Sequence, residues 1–131
     1  MNKKFNVSVL GGGSFGTVLA NLSAKNGLDT HLWVRDSELA LKINSESANR
    51  EYHPELKLSK KIFASEVLSE CVCNADLIFI ATPSSIIQNV IDRIKPHIKE
   101  GVVLISCTKG IVNNPTRTIT DYIKEQLFDR T

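Results

Sequence analysis

The chain alternates between short apolar runs and longer segments in which apolar residues recur at helical spacing. Short runs that end at glycine or polar residues predict strands, whereas apolar residues three and four positions apart predict amphipathic helices. The pattern predicts five strands, over residues 5–10, 29–35, 62–64, 76–81 and 102–107. It also predicts helices over 14–25, from 37 to about 43, over 65–68, from 84 to the residue before Pro96, and from 115 onward, with 44–61 as an irregular connection.

Residues that favour helix ends support these boundaries. Asp36, Ser65 and Ser84 each precede or begin a predicted helix, and their short polar side chains can cap it. Gly27 suits the end of the first helix. Pro115 suits the first turn of the last helix, because a proline there leaves no N–H unpaired.

Strands that alternate with helices are typical of one fold class. Each strand–helix–strand unit makes a right-handed crossover, so the strands become parallel neighbours in a sheet. We therefore predict an α/β fold: a Rossmann-type, doubly wound, mostly parallel sheet with helices on both faces, as one domain over residues 1–131. A sixth strand would follow the last helix, so we expect the domain to be part of a larger protein.

Composition narrows the function classes. The 131 residues are 42% hydrophobic and 23% charged, which suits one globular domain, and the net charge of +2 is spread along the chain. No basic block favours nucleic acid or an anionic membrane. Three cysteines suit a reducing compartment, and no apolar run could cross a bilayer. We expect a cytoplasmic protein with no nucleic-acid or membrane partner and, since its Cys and His residues lack ligand spacing, no metal site.

A glycine pattern follows the first predicted strand and opens the first predicted helix. Gly11, Gly13 and Gly16 fit G-x-G-x-x-G in the strand–helix context that the motif requires. In such a turn the first glycine allows the tight bend, the second lets the backbone approach a pyrophosphate, and the third lets helix and strand pack closely. A nucleotide-phosphate site is favoured over a glycine-rich turn that binds nothing.

The end of the second strand bears on which nucleotide is bound. A carboxylate there accepts hydrogen bonds from the adenine ribose 2′-hydroxyl, whereas an arginine accommodates a 2′-phosphate. Here Arg35 and Asp36 are adjacent. We assign Arg35 to the 2′-phosphate and Asp36 mainly to helix capping, which favours NADP without excluding NAD; a solvated surface arginine is the alternative.

The loops after the fourth and fifth strands should border the crevice where ligands bind in such folds. Pro83 fixes the turn after the fourth strand. Lys109, after the fifth, could place a positive charge beside an anionic group, although an ordinary surface lysine is the favoured explanation from sequence alone.

Several of these segments together resemble a known family. They are Gly11–Thr17, Leu32–Asp36, Pro83–Ser84 and Thr108–Ile111, with a weaker match at Asn44 and at Tyr52-His53-Pro54. In this order and spacing they are similar to the N-terminal domain of bacterial NAD(P)-dependent glycerol-3-phosphate dehydrogenase. The resemblance extends from about Val7 to the end of the chain.

The resemblance implies an activity and a site. Such enzymes interconvert dihydroxyacetone phosphate and sn-glycerol 3-phosphate with NAD(P)H, which feeds glycerophospholipid synthesis. It implies that Ser14, Phe15, Arg35 and Tyr52 contact the cofactor, and that Lys109 approaches both the nicotinamide side and the substrate. The family's catalytic lysine lies in a helical C-terminal substrate domain that this chain lacks, so we expect no catalytic residue here, and cofactor binding without turnover.

Two other functions stay open. One is a related two-domain reductase with another substrate, which the glycine loop and Arg35 would also fit. The other is a non-catalytic nucleotide-sensing module, which is also about one Rossmann unit long. Residues that would pack on a further domain are expected to be exposed in this chain. We therefore expect self-association, for example as a homo-oligomer.

Overall fold

The computed structural model describes residues 5–113 and 115–128. In chain order the elements are β1 (Asn6–Leu10), α1 (Ser14–Lys25), β2 (Asp29–Trp33), α2 (Ser37–Glu46), β3 (Ile62–Ser65), α3 (Leu68–Val72), β4 (Leu77–Ile80), a 3₁₀ turn (Ser84–Ile86), α4 (Ile87–Ile94), β5 (Val103–Ser106), β6 (Ile111–Val112), β7 (Arg117–Thr118) and α5 (Ile119–Leu127).

The first five strands form one parallel sheet. Their order is β3-β2-β1-β4-β5, and every neighbouring pair is parallel. The chain builds outward from β1 to β3, then returns to the other side of β1 with β4 and β5, so the order reverses between β1 and β4. This is the strand order of a Rossmann-type half-sheet, and it confirms the predicted fold class.

Helices cover both faces of the sheet, as predicted. On one face α1 and α2 contribute Ala20, Ala24, Ala40 and Ile43 to a core with buried strand residues such as Val9. On the other face α3, α4 and α5 contribute the second core. There the predicted apolar stripe of α4 is buried, at Ile87, Val90, Ile91 and Ile94, together with Ile119, Tyr122, Ile123 and Leu127 of α5.

The short third helix lies further along the chain than predicted. Ser65 belongs to β3, and α3 begins only at Leu68. The Ser65 hydroxyl accepts a hydrogen bond from the Val67 N–H at 3.0 Å and donates one to Glu70 at 2.8 Å. The serine therefore shapes the turn that precedes the helix instead of capping it, and the prediction of a helix over 65–68 was wrong.

The predicted cap at Ser84 is also wrong. A 3₁₀ turn begins at Ser84, and no side-chain hydrogen bond caps it. Pro83 precedes this turn with an extended backbone, so the turn and the proline set the direction of the chain before α4 starts at Ile87. A proline fixes its own φ and restricts the conformation of its neighbour. The proline therefore defines the start of the turn, where a capping serine was expected to do so.

The last helix begins four residues after the predicted position. α5 starts at Ile119, and Thr118 caps it by accepting a hydrogen bond from the Asp121 N–H at 3.1 Å. Pro115 lies instead in the link between β6 and β7, an antiparallel ribbon that the sequence did not predict. Strands of two residues are too short to show a period, so the pattern could not reveal them.

β5 was predicted as a strand, and one of its faces is exposed. Val103 is 54% exposed and Ile105 is 41% exposed. The reason is position, because β5 is the last strand of the described sheet and has no helix over this face. The expected self-association would use this kind of surface, and it stays a prediction. Among the described residues, none of the helices has the length and apolarity needed to span a bilayer.

The remaining boundaries differ by one to three residues. β2 ends at Trp33 instead of residue 35, and α2 continues to Glu46, three residues beyond the prediction. Asp36 does cap α2, since its Oδ1 accepts a hydrogen bond from the Glu38 N–H at 2.9 Å. The irregular connection is correspondingly shorter and runs from 47 to 61.

Candidate nucleotide-binding site

A cavity opens at the carboxyl ends of β1, β2 and β4, where the strand order reverses. Its volume is about 490 Å³. Ligands of doubly wound folds bind at this point, because the crossovers on the two sides of the sheet leave a crevice there. The residues that line it are Gly11, Gly12, Gly13, Trp33, Val34, Arg35, Asp36, Leu39, Glu51, Tyr52, Ala81, Thr82, Pro83 and Ile86.

Close packing of backbone explains two of the motif glycines. Gly11 has a φ of +124°, and a Cβ there would lie 2.6 Å from the Ala81 carbonyl oxygen. A Cβ on Gly16 would overlap the Gly11 carbonyl oxygen. Both glycines are therefore needed for the turn to form and for α1 to pack against the end of β1, as the motif predicts.

Gly13 differs from both, because a Cβ there would meet no atom within 4 Å. Its φ of −76° is accessible to other residues, so neither backbone conformation nor packing requires a glycine. Gly13 lines the cavity, and the position of its missing Cβ is open space. A side chain there would not disturb protein packing but would obstruct a ligand that approached the backbone from the cavity.

The start of α1 has the properties of an anion-binding site. Gly13 is the N-cap, it supplies no capping side chain, and the first turn carries no acidic residue. The first N–H groups of a helix lack intrahelical partners, and the helix dipole adds positive potential there. Ser14 and Phe15, two predicted cofactor contacts, lie in this turn with exposed side chains.

The irregular connection returns to this turn and contacts it from behind. Asn49 Nδ2 donates hydrogen bonds of 2.9 Å to the Gly12 carbonyl oxygen and to Thr17 Oγ1. His53 Nε2 lies 2.9 Å from the Ser14 carbonyl oxygen. The sequence pattern predicts no role for Asn49 or His53, because nothing in it indicates contact with a loop almost forty residues away.

Charged and aromatic side chains form the end of the cavity beyond β2. Arg35 and Tyr52, both predicted to contact cofactor, line it together with Asp36 and Glu51. Arg35 and Tyr52 are exposed. Glu51 is a lining carboxylate that the sequence analysis missed, since a lone glutamate in a polar loop is indistinguishable from a solvated one.

The loops after β4 and β5 meet at the opposite side of the crevice. Pro83 lines the cavity as expected, beside Thr82, whose hydroxyl is buried without a hydrogen-bond partner among the described residues. Thr108 Oγ1 donates to the Thr82 carbonyl oxygen at 2.7 Å, which ties the two loops together. Lys109 follows with an exposed side chain outside the cavity lining, and the next residue, Gly110, packs against Ser84.

Two of the cysteine thiols are poor nucleophiles, and neither residue lines the cavity. Burial, with smaller contributions from Glu70, Cys73 and Glu66, raises the pKa of the Cys71 thiol to about 12. Burial also raises the pKa of Cys107. Within residues 5–113 and 115–128, no three His, Cys, Asp or Glu side chains cluster as metal ligands would.

Comparison with known proteins identifies relatives along the same residues. The family model "NAD-dependent glycerol-3-phosphate dehydrogenase N-terminus" matches residues 6–131. A glycerol-3-phosphate dehydrogenase [NAD(P)+] of Acinetobacter baumannii is 42% identical over 121 residues, which cover 92% of this chain and 34% of the relative. The homologous protein of Alcanivorax borkumensis is 41% identical over 109 residues, covering 83% and 32%.

Solved structures agree with the sequence relatives. The crystal structure of a glycerol-3-phosphate dehydrogenase from Coxiella burnetii superposes with a TM-score of 0.87 at 28% identity, over 95% of this chain and 38% of that one. The chain therefore spans about a third of the length of the curated relatives that it matches.

Proposed function

The chain belongs to the family of NAD-dependent glycerol-3-phosphate dehydrogenase N-terminal domains, and from this premise we propose that it is the cofactor-binding domain, residues 1–131, of such an enzyme. The cofactor is NAD or NADP. The substrate pair would be dihydroxyacetone phosphate and sn-glycerol 3-phosphate, and the product would feed glycerophospholipid synthesis.

One observation carries the proposal. Gly13 is the only glycine of the G-x-G-x-x-G turn at which an added Cβ would meet no protein atom within 4 Å. It lies at the start of α1, where unpaired N–H groups and the helix dipole favour an anion. The residues present thus fit the pyrophosphate of a dinucleotide: the backbone is accessible, the local potential is positive, and no side chain of residues 5–113 or 115–128 lies within 4 Å of the Gly13 Cβ position.

The remaining predicted residues can be assigned around that contact. Gly11 and Gly16 hold the turn, and the backbone of Ser14 and Phe15 would donate to the pyrophosphate. Arg35 would pair with a 2′-phosphate and Tyr52 would contact the adenosine half, both from the cavity wall. Pro83 would border the nicotinamide half on the β4 side. These assignments favour NADP, whose additional phosphate gives Arg35 a partner.

Lys109 would act on the substrate side. When bound, the nicotinamide supplies hydride transfer to or from the substrate carbon. The Lys109 ammonium would offset substrate phosphate charge or the developing alkoxide charge. Because the family's catalytic lysine and most of its phosphate-binding residues belong to the C-terminal domain, we propose that residues 1–131 bind cofactor without useful turnover.

Two alternatives make different predictions. A related reductase would bind the same dinucleotide but a different substrate. The Thr108–Ile111 segment favours a glycerol-3-phosphate dehydrogenase over this alternative. A nucleotide-sensing module would bind a nucleotide without needing a lysine loop after β5. A protein partner of the transporter or channel type would support the sensor, whereas a helical substrate domain in the parent protein would support the enzyme.

The proposal is tested by titrating the purified chain with NADPH and with NADH by calorimetry. We expect both to bind and NADPH to bind more tightly. Arg35→Ala should weaken NADPH about tenfold while changing NADH little, because it removes the partner of the 2′-phosphate alone. Lys25→Ala removes the same charge at the far end of α1 and should change neither affinity.

Two results would contradict parts of this account. Equal loss of both ligands in Arg35→Ala would remove the 2′-phosphate assignment and leave the pyrophosphate contact standing. Absence of binding for both ligands would contradict the claim that this chain forms the cofactor site by itself. Robust reduction of dihydroxyacetone phosphate by the chain would refute the proposal that it lacks turnover.

A further inference from the structure

The segment from residue 47 to 58 joins α2 to β3, and two of its side chains hold the glycine loop. Asn49 is fully buried, and its Nδ2 donates to the Gly12 carbonyl oxygen and to Thr17 Oγ1, both at 2.9 Å. Thr17 Oγ1 itself donates to the Gly12 carbonyl oxygen at 3.3 Å. The carbonyl immediately before Gly13 is therefore fixed by two side chains.

The amide of Asn49 is not explained by the stability of its own segment. Its Oδ1 is buried without a hydrogen-bond partner within the described part of the chain. A buried, unpaired acceptor lowers stability, and an aliphatic side chain at this position would avoid that penalty. The Asn49 Nδ2 group thus donates to the glycine loop, while Oδ1 has no donor among the described residues.

His53 provides a second attachment on the other side of Gly13. Its Nε2 lies 2.9 Å from the Ser14 carbonyl oxygen and 3.2 Å from Ser14 Oγ. A carbonyl oxygen only accepts, so Nε2 carries the proton that is donated to it. Asn49 and His53 thus hold the residues immediately before and after Gly13.

The same segment also forms part of the cavity wall. Glu51 and Tyr52 lie between Asn49 and His53 in sequence, and both line the cavity at the end that carries Arg35. A single connection therefore holds the back of the phosphate loop and supplies side chains to the ribose end of the crevice.

We propose that Asn49 and His53 are positioning residues that order the glycine loop for the ligand's pyrophosphate. This inference rests on the proposed function. By fixing the carbonyls on both sides of Gly13, the two side chains direct the N–H groups of the first α1 turn toward the cavity before a ligand arrives. A loop that is ordered in advance loses less conformational entropy on binding, so affinity is higher.

The experiment compares Asn49→Leu and His53→Leu with a matched control, Asn44→Ala. Asn44 also holds backbone through its amide, by two 2.8 Å hydrogen bonds to Ala64, but it does so at β3. In the free chain, amide hydrogen exchange of Thr17, whose N–H donates to the Gly13 carbonyl oxygen at 3.0 Å, should accelerate in the two leucine variants and not in Asn44→Ala.

The same variants are then titrated with NADPH. Asn49→Leu and His53→Leu should each weaken the affinity about tenfold, while Asn44→Ala leaves it unchanged. His53→Gln should restore most of the affinity lost in His53→Leu, because the glutamine Nε2 can donate to the Ser14 carbonyl oxygen. A role limited to folding would not produce this rescue.

Wild-type exchange and wild-type affinity in both leucine variants would overturn the inference. If Asn49→Leu does not fold, the comparison of His53→Leu with His53→Gln decides, since His53 lies nearer the surface. If the wild-type chain binds no dinucleotide, the proposed function fails for this chain. The exchange rates of the free variants still decide whether the two side chains order the loop.

Discussion

At the scale of single residues, the glycine turn separates two requirements that a sequence motif combines. Gly11 and Gly16 are required by the protein's own backbone, which leaves no room for a Cβ at either position. Gly13 has room on the side of the cavity. Substitution should therefore affect folding at Gly11 or Gly16 and ligand binding at Gly13.

We predict opposite outcomes for alanine at Gly16 and Gly13. Gly16→Ala forces a Cβ into the Gly11 carbonyl oxygen and should lower the free energy of unfolding by about 3 kcal/mol. Gly13→Ala should leave the free energy of unfolding within about 1 kcal/mol of wild type, yet weaken NADPH binding at least about tenfold. Urea denaturation and calorimetry measure the two effects, and a Gly13→Ala chain that binds normally would contradict the role assigned to the open space.

The sequence predicted the residues that form the glycine turn better than those that support it. The glycine motif and the cap at Asp36 could be recognised from local pattern, although the close contact that requires Gly11 is with the distant Ala81. Asn49 and His53 could not be predicted, because their partners are 37 and 39 residues away and the path of an irregular segment decides the contact.

At the scale of elements, the strand–turn–helix unit at the start of the chain was the most predictable part. α1 spans Ser14–Lys25 as predicted, because glycines bound it on both sides and its apolar residues keep one period. The region after β5 was the least predictable. There the β6–β7 ribbon consists of two-residue strands, and α5 starts at a threonine cap instead of the proline.

The Asp76 carboxylate joins the start of β1 to the connection between α4 and β5. Asp76 Oδ2 accepts a hydrogen bond from the Asn6 N–H at 2.8 Å, and its Oδ1 lies 2.5 Å from Lys99 Nζ. The Asp76 side chain is only 9% exposed whereas that of Lys99 is 34% exposed, so the hydrogen bond to Asn6 is better shielded from water than the ion pair.

We predict that Asp76→Ala lowers the free energy of unfolding by about 2–3 kcal/mol, because it leaves a partly buried N–H and an ammonium without their acceptor. Asp92→Ala, which removes an exposed carboxylate from α4, should change it by less than about 0.5 kcal/mol. Urea denaturation of the two variants makes the comparison, and equal losses would show that the Asp76 contacts contribute little.

At the scale of the whole molecule, the crossovers on the two faces of the sheet leave the crevice at the strand ends where the strand order reverses. The alternation of strands and helices predicted the parallel sheet and its two helical layers, since right-handed crossovers leave few other arrangements. It did not predict that one face of β5 would be exposed. Burial at the edge of a sheet depends on which elements lie beside it, and the sequence of the strand itself cannot supply that information.

The stability of the whole molecule should depend on pH through His31. Burial lowers the pKa of this imidazole below its ordinary value of 6.5, although Glu70 and Asp29 oppose the shift. The unfolded chain therefore takes up a proton near pH 6.5 that the folded chain binds only at lower pH. Stability from this group is complete above pH 6.5 and is lost as the pH falls below it.

We predict that His31→Leu flattens the fall in unfolding free energy as the pH decreases below about 6.5. His97→Leu, at an exposed histidine, serves as the control and should keep the wild-type slope. Denaturant titrations at several pH values give the slopes. A slope that is unchanged in His31→Leu would assign the pH dependence to other groups.

The proposed function depends on the binding of a dinucleotide at Gly13 and the first turn of α1. The most direct test is to follow the backbone amide resonances of the ¹⁵N-labelled chain as NADPH is added. We predict that the largest shifts occur at Gly13 through Gly16, with further changes at Arg35 and Tyr52 and little change at α5. Saturable shifts confined to a different surface, with the amides of Gly13–Gly16 unmoved, would contradict the account.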